Sequence, residues 1–111
     1  MIVSTTMDID GCRVMEYRGV VRGLVVRAPT IMQGFWGSLK NLFGGNIGAY
    51  GRMCEQARMQ AYNLMIQHAK EKGANAVIGM RYDSSQVSSG RVSGTEVLCY
   101  GTAVVIQKIN A

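Results

Sequence analysis

Apolar and polar residues alternate from Cys12 to Arg27, the two-residue period of a strand with one face turned to a core. The odd positions Met15, Tyr17, Gly19, Val21, Gly23 and Val25 are apolar, aromatic or glycine. The even positions mix Val14, Val20, Leu24 and Val26 with Glu16, Arg18 and Arg22. A monomer would leave Val20, Leu24 and Val26 exposed beside those charges, so this face predicts a subunit interface. Ile2 to Thr5 reads as a short strand before it, with Asp10-Gly11 as the turn signal.

Ala28-Pro29-Thr30 stops the long strand, and Thr30 with Gln33 fits a capping box. The short helix predicted next carries Met32, Phe35, Leu39 and Leu42 on one stripe, with Trp36 and Phe43 beside it. Lys40 is its one charge, which predicts burial in the core or against a partner chain. Gly44-Gly45 ends it. A longer helix follows from about Tyr50 to Lys72, with Met53, Ala57, Ala61, Leu64 and His68 on one stripe. Met59, Tyr62, Ile66 and Ala69 form a second, and Gly73 suits the C′ position. Ala76 to Ser84 and Glu96 to Ile109 read as strands, joined by the Ser/Gly-rich stretch Ser84 to Gly94 as a hairpin with a mobile tip. Gly19, Gly23, Gly79 and Gly101 on strands, with Ala57 and Ala61 on the helix, predict close backbone approach.

The pattern is β-β-α-α-β-β: an α+β single domain over residues 1–111, with an antiparallel-rich sheet packed on one long helix plus a short one. Composition narrows the class. The chain has 12 Lys+Arg against 7 Asp+Glu, a net +5, and 48% hydrophobic residues, which excludes wholesale disorder. The basic residues are scattered singly rather than gathered into a stripe, so no nucleic-acid partner is expected. Apolar runs such as Ala103 to Ile106 fall far short of the ~20 residues of a membrane span, and the start lacks a signal-peptide pattern. Three widely spaced Cys make no disulfide framework. A cytoplasmic location is the expectation.

Several blocks in order along the chain resemble the YbjQ-like family. They are Ser4-Thr5-Thr6, Gly11, Glu16-Tyr17-x-Gly19-Val20-Val21-x-Gly23, Gly44-Gly45-x-x-Gly48-Ala49-Tyr50, Gly73-Ala74-x-Ala76-Val77-x-Gly79 and Gly101-Thr102-Ala103-Val104. That family is filed as "putative heavy-metal-binding". The resemblance implies a dodecin-like subunit fold and ring-shaped homo-oligomers, typically pentamers, and carries over no catalytic residues. This chain departs from the family pattern at Leu24, Gly51 and Asn75, where the resemblance implies an acid. Hard oxygen ligands are thus missing at three positions.

Metal chemistry would have to come from Cys12, Cys54 and Cys99, which lack the paired spacing of a thiolate site and would need to converge in space or across a ring. Burial as small hydrophobes is the competing role. His68 continues an apolar stripe and has only Glu71 within local reach, which predicts a packed or interface histidine. Met53, Met59 and Met65 point three ways at ~100° per residue, as core filler rather than a Cu(I) site. Gly44, Gly45, Asn46 and Gly48 form a glycine loop able to present backbone N–H groups to an anion, without the Lys-Ser/Thr of a P-loop. No nucleophile or acid–base constellation is visible, so catalysis is not expected. The reading is a non-catalytic, ring-forming assembly or binding protein with an interface over Glu16, Arg18, Val20, Arg22, Leu24, Phe35 and Trp36. Metal or small-ligand binding at sites shared between subunits is the alternative.

Overall fold

The computed structural model describes residues 1–27, 47–89 and 92–109. Its elements are β1 (Ile2–Val3), β2 (Cys12–Arg27), α1 (Ile47–Glu71), β3 (Ala76–Ser89) and β4 (Val92–Lys108). The strands form one mixed sheet in the order β1-β3-β4-β2, with β1 parallel to β3 and the other pairs antiparallel. This is the expected α+β architecture of a sheet carrying one long helix. The short helix predicted over Thr30 to Phe43 lies outside the described residues.

α1 lies across one face of the sheet. Ala57, Ala61, Met65 and Ala69 recur every four residues and are buried against Val21, Val25, Val77, Val97, Cys99 and Ala103. The buried stripe therefore runs through Met65, and Leu64 is turned outward at 41% exposure. Small side chains let the helix settle onto the strand. A Cβ on Gly23 would overlap the Ala61 carbonyl oxygen and stand 2.7 Å from the Met65 amide nitrogen. On the opposite face the chain between β1 and β2 brings Ile9 over Ala76, Ile78 and Val104, a second small core shared with Val14 and Ile106.

Three sequence expectations shift. Val21, Gly23 and Val25 face the helix as predicted, yet Met15 and Tyr17 do not share their burial. The register slips between Val14 and Glu16 and again between Tyr17 and Gly19. Each slip offsets the alternation, so strict period two fails across them. The stretch Ser84 to Gly94 is largely paired: Ser84 faces Val97, Gln86 faces Thr95 and Ser89 faces Val92. A ladder is made by backbone groups, so Ser84 to Ser89 continue the strand rather than form a long loop. Met59 is 57% exposed and fills no core.

Helix α1 stops where Gly73 predicts. Gly73 has φ +78°, its N–H donates to the Lys70 carbonyl, and the Ala74 N–H donates to the Ala69 carbonyl. That pair of bonds is the Schellman closure, with Ala74 packed against the core that buries Ala69. Asn75 then joins helix to sheet. Its Nδ2 donates to the Ile106 carbonyl at 2.9 Å, and its Oδ1 accepts from the Ile106 N–H at 2.7 Å.

Candidate functional site

β2 is the last strand of the sheet, so its outer edge has no strand beside it among the described residues. The Arg22 N–H points away from β4 and donates to Nδ1 of His68 at 3.2 Å. In an antiparallel ladder, residues alternate between bonding inward and bonding outward. Val20, Arg22, Leu24 and Val26 therefore turn their backbone groups to the open edge. Their side chains stand on the face away from α1, because Val21, Gly23 and Val25 occupy the helix face. Val20 is 70% exposed, Leu24 47% and Val26 57%. An apolar row at a sheet edge is the kind of surface that association would cover.

Of the residues assigned to this interface by sequence, Val20, Arg22 and Leu24 fall together on that row. Glu16 and Arg18 form an ion pair at 3.1 Å on the surface of the same strand. Being well solvated, that pair adds little stability. Phe35 and Trp36 lie outside the described residues.

His68 is half-buried where α1 crosses the β2 edge. It borders a shallow groove together with Arg22, Leu24, Leu64, Gln67 and Glu71. Its role as acceptor for a backbone amide was not legible in sequence, since Arg22 is distant along the chain and no local pattern joins the two. Asn75 was missed for the same reason: its partner Ile106 belongs to the last strand.

The three cysteines stand apart within one subunit. Cys12 opens β2 opposite Lys108, about 30 Å along β4 from Cys99 at ~3.3 Å per residue. Cys99 is buried under the helix, where its Sγ meets the Met65 Sδ at 3.6 Å. Cys54 is exposed, about 16 Å along α1 from Met65 at ~1.5 Å per residue. Burial pushes the Cys99 thiol up to about 11, with the adjacent Tyr82 hydroxyl pulling weakly the other way. A protonated, enclosed thiol is a poor soft-metal ligand. A single chain therefore builds no thiolate centre from these residues. Of the glycine loop, Gly44, Gly45 and Asn46 lie outside the described residues and Gly48 falls within α1.

Fold and surface together define a small α+β protein whose described residues form one sheet and one long helix, with β2 at the sheet edge. A family model described as "Putative heavy-metal-binding" matches residues 1–107. An UPF0145 protein of Legionella pneumophila (strain Corby) is 52% identical over 106 residues, covering 96% of this chain and 98% of the relative. One from Francisella tularensis subsp. tularensis (strain WY96-3418) is 51% identical over 107 residues, covering 96% of this chain and all of the relative. The chain belongs to this YbjQ-like, UPF0145 family. Among solved structures, a protein of unknown function of the DUF74 family from Pediococcus pentosaceus shares the fold at a TM-score of 0.61 and 17% identity, with 96% of this chain and 98% of that one covered. No helix among the described residues is long and apolar enough to cross a membrane.

Proposed function

We propose that the protein is a non-catalytic, cytoplasmic subunit of a homo-oligomeric ring, dodecin-like in its subunit and built through β2, and that it serves as an assembly or binding scaffold. The exposed row Val20, Leu24 and Val26, on an edge unpaired among the described residues, carries this reading. The ring number of five rests on family resemblance.

Native mass spectrometry of the untagged protein tests the assembly. A multiple of the 12.1 kDa chain is expected, and Val20→Glu or Leu24→Glu should reduce it to the single-chain mass. An unchanged multiple in both variants would remove β2 from the interface, and a lone monomer in the wild type would end the ring reading.

The family description favours a second reading, metal or small-ligand binding at sites shared between subunits. Cys12 and Cys54 are the thiols reachable from outside a subunit core. The same spectrum separates the two: a fixed added mass per ring, lost on chelation, supports binding.

A further inference from the structure

We propose that His68 is a proton-operated latch on the open edge of β2. Its neutral ring holds the Arg22 backbone amide, and its protonated ring releases that amide and turns to Glu71. The proposal stands on one subunit's own geometry and does not require the ring.

The Arg22 N–H is a donor on a strand edge with no neighbouring strand among the described residues, and Nδ1 of His68 is 3.2 Å from it. A ring nitrogen accepts a hydrogen bond only while it carries no proton. The observed bond therefore specifies a neutral imidazole with its hydrogen on Nε2. Adding a proton at Nδ1 sets two N–H groups against each other and removes the bond. Glu71 lies one turn further along α1 and lines the same groove, offering the protonated ring an opposite charge. The two protonation states thus have different partners on different elements, which is what a two-position switch needs.

Charged groups approach the ring from both β2 and the helix end. Arg22 borders the groove from β2, and the Arg18 guanidinium approaches Gly73 just beyond the helix end. Lys72 follows four residues after His68, just past the end of α1. Glu71 is the acid that lines the same groove. From β4, Cys99 sits beneath α1 against Met65 rather than in the groove. Protonation releases the amide midway along the Val20–Val26 row, so acid exposes more of the open edge.

His68 is the single histidine of the chain, so labelling with 15N-histidine gives one ring to observe. The neutral ring should show the Nε2–H tautomer. Protection of the Arg22 amide, normalised to its intrinsic exchange rate, should fall about five- to tenfold as the ring takes its proton. In His68→Asn the side-chain oxygen replaces Nδ1 as acceptor and does not titrate, so that protection should stay level with pH. In Glu71→Gln the ring should take its proton at lower pH. A neutral Nδ1–H tautomer overturns the latch, as does amide protection that ignores the ring's titration or falls equally in His68→Asn. An unmoved titration in Glu71→Gln overturns the second position.

Discussion

Gly23 is the residue on which the helix rests. A methyl group there would occupy the space of the Ala61 carbonyl and crowd Leu64 Cβ at 2.8 Å, so the neighbour in conflict is mostly backbone, which cannot rotate away. Gly23→Ala should therefore lift α1 from β2 and cost at least about 3 kcal/mol, measured by urea unfolding. Asn75 is a subtler case. It donates to and accepts from the same Ile106 peptide unit, so an isosteric carboxylate keeps one bond and sets an oxygen against the carbonyl in the other. Asn75→Asp should lose about 1 kcal/mol of stability at neutral pH, regained in part as the new acid protonates. A variant as stable as wild type would show that the side chain is not a working link between helix and sheet. Cys99 carries a pH signature. Its ordinary value of 9.0 is raised to about 11 in the fold, mainly by burial. The unfolded thiol ionises first as pH rises, so the stability it contributes is complete below about pH 9 and lost on the way to 11. Tyr82, also pushed up by burial, has the same sign. Cys99→Ala should make the alkaline fall in melting temperature shallower, and an equally steep fall would assign it to other groups.

Elements are where sequence periodicity speaks, and it speaks well wherever one face meets a core. The strand from Cys12 to Arg27 has the predicted bounds, and Gly73 ends α1 through its positive φ. The helix stripe was placed one residue off, on Leu64 instead of Met65, because both are apolar and contact with the sheet chooses between them. Period two breaks at Met15 and Tyr17 because bulges depend on pairing with β4, which lies at the far end of the chain. The Ser/Gly stretch misleads for a related reason: composition records solvent exposure, whereas the ladder from Ser84 to Ser89 is held by main-chain bonds indifferent to side-chain type. The exposed apolar row Val20, Leu24 and Val26 was legible because its conflict with the neighbouring charges is local. The His68–Arg22 bond was not, since it joins residues that only the packed fold brings together.

At the scale of the whole molecule, the sheet is long for the helix that covers it. β3 and β4 contain 14 and 17 residues, which at about 3.3 Å per residue reach well beyond what one helix can shield. The principal extents of 60 × 28 × 18 Å reflect that excess. An elongated sheet with Val20, Leu24 and Val26 exposed at its edge gains by burying them against another copy, at roughly 25 cal/mol per Å² of apolar surface removed from water. Association that stabilises the folded chain makes stability depend on concentration, because unfolding then releases subunits. The melting temperature of the wild type should accordingly rise with protein concentration across a hundredfold range. Combining Val20→Lys with Leu24→Lys places like charges beside Arg22 on the row that would be buried, so the dependence should vanish while the fold persists at a lower, constant melting temperature. Both changes face away from α1, which leaves the Gly23–Ala61 contact in place to report the fold. A wild-type melting temperature independent of concentration over that range would contradict an assembly that forms and dissociates with unfolding. A dependence that survives the double substitution would move the interface off β2.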